Sequence, residues 1–266
     1  MPYAKPRVPR IYQPSGAPAF WALAHAPGGT HAQDVGDVAD LMGVVPALAR
    51  GAGCTWANGP SGRALAFDGT TAGNALSPLG FPYGGGWTGV TVTCRFQIPV
   101  GQSLSHYTIL VSSDFNPRCF QFFITTTGQV GVAFFNGVVS VGSIGGSGPD
   151  LRDGLWHEAA ATWDGTTVRG YADGVLTASA ALAGVLPTGV VPIQIGNYGP
   201  VGLAGFGFIG LISDARVYSY ALTQAQIIRN VADPYWRLRP PSPRVFLMGN
   251  LSVVRQAMNS YRRRRS

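Results

Sequence analysis

The fold is decided between Leu155 and Leu222, where four consecutive pieces each have the pattern of a strand that ends in a turn. In order they are WHEAAATWDG (156–165), VRGYADGVL (168–176), IQIG (193–196) and FIGLISDARVY (208–218). Asp-Gly pairs stand at 164–165 and 173–174, and this pair favours a tight hairpin because Gly accepts positive φ and Asp tolerates it. The stretch therefore predicts antiparallel strands joined by short turns.

Regular strand patterns also occur from residue 88 onward. Val90 to Ile98 alternates, which places Val90, Val92, Cys94, Phe96 and Ile98 on one face of a strand. Further strands are predicted near residues 20–23, 64–67, 107–111, 119–125 and 129–135, whereas residues 25–61 have a loop-rich composition. Short strands spaced by turn signals are typical of a sandwich or jelly roll.

One helix is predicted near 223–231. Thr223 is a suitable N-cap, and Gln226 follows three residues later as its capping-box partner. Pro234 is expected to end the helix.

Composition agrees with an all-β body. The chain has 266 residues, 37 of them Gly and 20 Pro, and only 12% are charged. At this length about three quarters of the unfolded surface can be buried. The uncharged stretch 174–191 is broken by Gly184, Pro187 and Gly189, so no membrane-spanning helix is expected. Pro14 and Pro18 interrupt the short apolar run near the start, so we also expect no secretory signal peptide.

Charge divides the chain into three parts. Residues 1–13 carry three basic residues and no acid, residues 230–266 carry eight arginines and one aspartate, and residues 14–229 carry eight arginines against eleven acids. We therefore predict an extended, Pro-rich basic arm over 1–16, a jelly roll over 17–232 and a basic, Pro- and aromatic-containing arm over 233–266.

The arms are either solvated tails or anchors that dock on another surface. Trp236 and Phe246 favour ordered contact with a protein, whereas binding of nucleic acid through the arginines would be unspecific. The predicted anchor residues are Lys5, Arg7, Arg10, Trp236, Arg237, Arg239, Arg244, Phe246, Arg262, Arg263, Arg264 and Arg265.

The three cysteines, Cys54, Cys94 and Cys119, match no zinc spacing. Cys94 and Cys119 lie in apolar strand-like runs, where a free thiol behaves as a small buried hydrophobe. All three are interpreted as reduced, with one bridge left open as an alternative.

Enzyme patterns are absent from the sequence. Retaining glycosidases need two carboxylates about 5–5.5 Å apart, yet Glu158 is the only glutamate and no predicted strand has alternating acids. His157 shares its strand face with Ala159 and Trp163, which favours a structural role. The sequence therefore predicts no catalytic residue.

The Trp-His, Trp-Asp-Gly-Thr, Tyr-x-Asp-Gly and Asp-x-Arg-Val-Tyr pieces resemble the back half of laminin-G-like, concanavalin A-like jelly rolls. The resemblance covers about 17–231 and implies two antiparallel sheets, often with one calcium ion near the rim. The resemblance carries over to Asp214 and Asp68 as calcium ligands; the alternative is that Asp214 pairs with an arginine or caps a turn. No other cofactor is expected.

Exposed aromatics could form a glycan site, and the candidates are Tyr83, Trp87, Phe115 and Tyr198; the alternative is packing at the sheet rim. The C-terminal arm resembles the ends of laminin-G-like proteins of tailed bacteriophages. The resemblance implies a non-enzymatic virion component, such as a head decoration protein, fibre or spike, whose partners are other virion proteins or copies of itself. A lectin-like module for attachment is the alternative, and a glycoside-active enzyme is a distant third.

Overall fold

The computed structural model describes residues 19–22, 49–60, 62–70, 75–76, 81–83, 89–104, 108–114, 118–137, 140–184, 189–191, 193–197 and 205–233. All of them belong to one compact unit that spans Gln13–Trp236. The strands are β1 (Ala19–Ala22), β2 (Ala49–Arg50), β3 (Cys54–Gly59), β4 (Gly62–Asp68), β5 (Ala75–Leu76), β6 (Phe81–Tyr83), β7 (Val90–Gln97), β8 (Thr108–Asp114), β9 (Arg118–Ile124), β10 (Val130–Gly137), β11 (Ser140–Ile144), β12 (Trp156–Trp163), β13 (Thr167–Ala172), β14 (Val175–Ala181), β15 (Gly189–Val191), β16 (Gln194–Ile195) and β17 (Ile209–Tyr218), and helix α1 covers Gln224–Ala232.

Two antiparallel sheets make up the sandwich. The larger has eight strands in the order β14-β13-β12-β7-β17-β4-β3, with β1 also paired to β17. The smaller has seven strands in the order β11-β10-β9-β8-β16-β5-β2, and β15 pairs with β6 in a separate ribbon. The jelly roll of two antiparallel sheets expected from the sequence is confirmed.

The hydrophobic core lies between the two sheets. Because side chains alternate along a strand, β7 turns Val90, Val92, Cys94 and Phe96 to one side, and all four are buried in a single apolar cluster. Phe120, Phe122 and Phe134 reach the same cluster from the smaller sheet. The face of β7 predicted from its alternation is therefore confirmed.

The opposite face of the larger sheet, which we call the helix-covered face, is partly covered by α1. A second apolar cluster there joins Tyr171 of β13 and Tyr218 of β17 to Leu222 and Ile227. Thr91 holds the intervening segment against the sheet, since its hydroxyl donates to the Tyr220 carbonyl at 2.9 Å and accepts from the Leu222 N–H at 2.8 Å.

Helix α1 has the predicted N-terminus. Thr223 accepts from the Gln226 N–H, and the Gln226 side chain accepts from the Thr223 N–H, which completes the capping box. At the other end, Arg95 donates to the Val231 carbonyl at 2.8 Å and satisfies one of the free carbonyls of the last turn. In the described part of the chain, no helix is long and apolar enough to span a bilayer.

In the front half of the chain, the structure adds a strand to a segment that was predicted to be rich in loops. Residues 25–61 do not form only loops, because β3 occupies Cys54–Gly59 and pairs with β4 over its whole length. Its sequence, CTWANG, lacks a clean apolar–polar alternation and places Asn-Gly at its end. The strand therefore forms because β4 provides a partner, and its own pattern gives no signal for it.

Candidate functional site

A cluster of buried charges lies on the helix-covered face. β7, β12 and β17 are neighbours, and their register places Glu158 and Asp214 on either side of Arg95. Arg216 follows two residues after Asp214 and is fully buried. We call Arg95, Glu158, Asp214 and Arg216 the buried charge cluster.

Arg216 is at the centre of this cluster. Its guanidinium contacts a carboxylate oxygen of Asp214, and its Nη1 lies 3.7 Å from Glu158 Oε1. Arg95 Nε lies 3.9 Å from the other oxygen of Glu158. Burial raises the pKa of Glu158, and Arg216 opposes that rise through its positive charge. Glu158, Asp214 and Arg216 are thus buried together, and Arg95, whose side chain is 16% exposed, closes the cluster on its outer side.

A second charged group lies at the rim of the sheet, on the core side of β12. His157 Nδ1 is 2.8 Å from Asp173 Oδ2, and His157 Nε2 is 2.9 Å from Asp153 Oδ1. The hydrogen bond to Asp173, assisted by the bond to Asp153, raises the pKa of His157 to about 8. We call these three residues the rim clamp, because His157 connects the loop before β12 with the β13–β14 turn.

The β13–β14 turn is positioned by its own chemistry. Asp173 has φ of 50°, in the left-handed region, and its Oδ1 accepts the Glu158 N–H at 2.9 Å. Gly174 follows with φ of 82°, and a Cβ there would lie 2.9 Å from Ile228 Cγ1. Gln224 donates to the Gly174 carbonyl at 3.2 Å. The predicted Asp-Gly hairpin is therefore confirmed, and it also contacts α1.

A cleft of about 380 Å³ opens on the helix-covered face, beside the start of α1. One wall is formed by Asp164, Arg169, Tyr171 and Leu176, and the opposite wall by residues 221–224. Arg169 and Tyr171 are two residues apart on β13, so they share a face, and Leu176 stands directly opposite Tyr171 on β14. Clefts of this volume are in the range that holds small ligands.

The acid and base of the cleft form an ion pair. Arg169 Nη1 donates to Asp164 Oδ2 at 2.6 Å, and this bond, with others from Thr166 and Thr167, holds the pKa of Asp164 far below its usual value. The same carboxylate accepts the N–H groups of Thr166 and Thr167 at 3.0 and 2.8 Å, so it closes the β12–β13 turn.

The two acids predicted as calcium ligands are placed apart. Asp68 is in register with Ile209 at one end of β17, and Asp214 lies five residues further along, or roughly 16 Å at the usual rise of a strand. The Asp68 side chain accepts the hydroxyl and N–H of Thr70 at 2.7 and 2.9 Å. Asp214 pairs with Arg216, which was the alternative expected for it. Among the described residues, no three His, Cys, Asp or Glu side chains converge as metal ligands.

The other predicted site residues fall largely outside the described part. Tyr83 ends β6, and only its backbone is described. Trp87, Phe115, Tyr198 and all twelve anchor residues of the two arms lie outside the described residues. All three cysteines are buried and free, as expected, and burial raises the pKa of Cys54 to about 12.

Sequence reasoning missed the cleft. Arg169 and Tyr171 belong to the strand pattern at 168–176, and their spacing of two residues indicates that they share a strand face. The opposite wall, Ala221 to Gln224, comes from some fifty residues later in the chain. Nothing local to either segment indicates that they meet.

The comparisons with solved structures agree on the fold. The binding domain of Paraclostridial mosquitocidal protein 1 aligns with a TM-score of 0.61 at 14% identity, over 82% of this chain and 52% of that one. This chain thus spans about half the length of that relative. Domain 4 of AbnA, a GH43 extracellular arabinanase from Geobacillus stearothermophilus, was solved in complex with arabinotriose. It aligns with a TM-score of 0.57 at 18% identity, over 79% of this chain and 96% of that one. The heptameric SAP-like pentraxin of Limulus polyphemus aligns with a TM-score of 0.51 at 16% identity, over 62% of this chain and 80% of that one.

At the level of sequence, no curated protein matches the chain significantly. A family model of the laminin G type does match, over residues 68–228, which is more than half of the chain. The matched region includes β7, β12, the rim clamp and the cleft wall on β13 and β14. The chain therefore belongs to the concanavalin A-like lectin/glucanases superfamily.

Proposed function

We propose that the protein is a non-enzymatic structural and binding component of a larger assembly, most simply a virion, in which the basic arms anchor a displayed jelly roll. The observation that carries this proposal is the separation of charge along the chain, together with the way the first and last described elements of the body are held. Ala19 of β1 is in register with Val217 of β17, and the last turn of α1 is held by Arg95, which is in register with Asp214. The described body therefore starts with β1 and ends with α1, and both elements are bound to the β17–β7 part of the larger sheet.

The charges of the body support an external partner for the arms. Several described arginines of the body already have acidic partners within it: Arg216 contacts Asp214, Arg169 contacts Asp164 and Arg152 contacts Asp150. Residues 230–266 carry eight arginines and one acid. A segment with this imbalance is attracted to acidic surface, which neighbouring virion proteins or further copies of the chain would supply.

The position of Glu158 supports a role without catalysis. A general acid or nucleophile must reach its substrate, but Glu158 is 2% exposed and lies between Arg216 and Arg95 beside α1. Asp214, the other acid of the buried charge cluster, is equally buried. The carboxylate pair that a retaining glycosidase of this superfamily would need is therefore not offered by these two residues.

Immunogold labelling of native particles tests the proposal. We expect regular label on capsids or tails, and we expect the full chain with Arg262, Arg263, Arg264 and Arg265 all changed to Ser to fold normally but to be lost from particles. A matched control changes Arg63 and Arg229 of the body to Ser. Free soluble protein with no particle label, or unchanged incorporation of the arm variant, would contradict the anchored role.

Glycan binding is the second candidate. The chain covers 96% of the arabinanase domain that was solved with arabinotriose, so the same body plan can present a saccharide. A glycan array of the full chain, repeated with Tyr83→Ala, Trp87→Ala, Phe115→Ala and Tyr198→Ala, tests it. Binding to a defined sugar that one of these changes abolishes would favour attachment through glycans; a blank array would leave the anchored structural role alone.

A further inference from the structure

The cleft beside α1 is lined by a tyrosine whose ring is buried and whose hydroxyl is open to the cleft. Tyr171 is 3% exposed, and its ring packs in the apolar cluster under α1. Within the described residues its hydroxyl has no hydrogen-bond partner, although Tyr171 lines the cleft. A hydroxyl that faces the cleft without a partner from the described residues is free to donate to a ligand atom placed there.

Hydrogen-bond donors also remain on Arg169. Its only partner in the described part of the chain is Asp164, reached through Nη1, and the guanidinium carries five N–H donors in a planar fork. Arg169 is about one third exposed, so the remaining donors are open to the cleft. Tyr171 lies on the same strand face, about 7 Å away along β13. Two donors are thus arranged side by side.

The carboxylate of the cleft is already occupied. Asp164 Oδ1 accepts from the Thr166 N–H, the Thr166 hydroxyl at 2.8 Å and the Thr167 N–H, while Oδ2 accepts from Arg169. Its role is to close the turn and to orient the guanidinium. The cleft side chains on β13 therefore offer donors, and they favour a ligand group that accepts hydrogen bonds.

The remaining surface of the cleft is aliphatic. Leu176 is 44% exposed and faces Tyr171 across the strand pair, and Leu222 lies on the opposite wall. Burying such groups against an apolar chain gains about 25 cal/mol per Å². The first turn of α1 adds a partial positive charge at the same side.

We infer that the cleft binds the carboxylate of a small aliphatic acid, with Arg169 and Tyr171 donating to the carboxylate and Leu176 packing against the aliphatic chain. A free short-chain acid and the carboxyl terminus of a peptide that ends in an aliphatic residue share this chemistry. The inference goes beyond the proposed function, because neither arm takes part in it.

Titration of the uniformly ¹⁵N-labelled full chain tests the site. The probes are hexanoate, hexanol, N-acetyl-leucine, N-acetyl-leucinamide and arabinotriose. We expect millimolar binding of hexanoate and N-acetyl-leucine, with amide shifts confined to residues 164–176 and 221–224, and at least tenfold weaker binding of the three neutral probes. A preference between the two acids then distinguishes a free acid from a peptide end.

Two variants assign the donors. Arg169→Gln should weaken hexanoate binding about tenfold and Tyr171→Phe severalfold, because each loses a hydrogen bond to a charged group. Tyr171→Phe keeps the packed ring, and unchanged thermal unfolding would confirm its fold. Arg63→Gln, on the distant β3–β4 hairpin, is the matched control and should bind normally. Equal binding of hexanol or arabinotriose, shifts elsewhere in the chain, or no effect of Arg169→Gln would overturn the inference.

Discussion

His157 and Glu158 are adjacent on β12, yet they differ in the distance to their charged partners and in the access of solvent to those partners. His157 belongs to the rim clamp, where both ring nitrogens lie within 2.9 Å of a carboxylate and solvent reaches the acids. Glu158 belongs to the buried charge cluster, where the arginine nitrogens are 3.7 and 3.9 Å away and solvent is excluded. Because strand side chains alternate, one strand carries both arrangements.

The difference shows what each arrangement depends on. The rim clamp depends on short, charge-assisted hydrogen bonds and on a proton that His157 gains and loses near neutral pH. The buried cluster depends on charge balance, because Glu158, Asp214 and Arg216 are desolvated and cannot turn to water when a partner is removed. Changes to the two groups should therefore have effects that differ in size, in pH dependence and in response to salt.

The largest effect should come from Arg216→Met. The change keeps the volume but leaves Glu158 and Asp214 buried beside each other without their main cation. We expect the free energy of unfolding to fall by about 3–5 kcal/mol in urea titrations. Arg169→Met, which breaks the partly exposed pair with Asp164, should cost about 1 kcal/mol or less. Similar losses for both would show that burial does not distinguish the two pairs.

An intermediate effect is expected from Glu158→Gln, and it should depend on pH. Burial raises the pKa of Glu158, so the folded state holds this proton more tightly than the unfolded chain does. Its contribution to stability is present below the ordinary pKa of 4.5 and declines as pH rises towards 7. The urea midpoint should therefore fall less steeply between pH 5 and 7 in Glu158→Gln than in the parent. Parallel pH profiles would rule out a titrating Glu158.

A smaller effect of the same sign belongs to His157. Its pKa rises from 6.5 to about 8 on folding, so the clamp stabilises the protein below pH 6.5 and this contribution is lost as pH rises through 8. His157→Gln should thus cost about 1 kcal/mol at pH 6, after allowance for solvent screening, and little at pH 9. In Asp173→Asn, NMR titration should give His157 a lower pKa than in the parent. An unchanged pKa would exclude Asp173 as its main partner.

The smallest effect is the response to salt. The acids of the rim clamp are about 40% exposed, so 1 M NaCl, with a Debye length of about 3 Å, should shrink the cost of His157→Gln at pH 6 by a few tenths of a kcal/mol. The cost of Arg216→Met should not change, because its partners are buried. Equal salt sensitivity of the two variants would mean that water reaches the buried cluster.

The sequence predicted the features whose signal is local. The alternation of β7, the Asp-Gly turn at 173–174 and the Thr223–Gln226 capping box each lie within about ten residues, and each was confirmed. The strand at Cys54–Gly59 was missed, because its pattern is irregular and its order comes from β4. The cleft was missed for a similar reason, since residues 164–176 and 221–224 meet only through the topology of the sheet.

The same reasoning applies to the charges. Asp214 and Arg216 are two residues apart on a strand, so their pairing was available as an alternative to calcium binding. That Glu158 joins them through β7 depends on the order β12-β7-β17, which alternation along one strand does not reveal. Calcium binding by Asp68 and Asp214 stays a prediction.

The position of β17 in the sheet determines when the body can fold during synthesis. This strand is the last of those in the described residues, but it lies in the middle of the larger sheet, with β7 on one side and β4 and β1 on the other. A nascent chain that stops before Ile209 would expose the edges of β7 and β4, which invite pairing with other chains. The sheet can close only after Tyr218 has left the ribosome, and the pairing of Ala19 with Val217 joins the two ends of the body. Such distant pairings slow folding, so the body should gain its stability only after β17 has been synthesised.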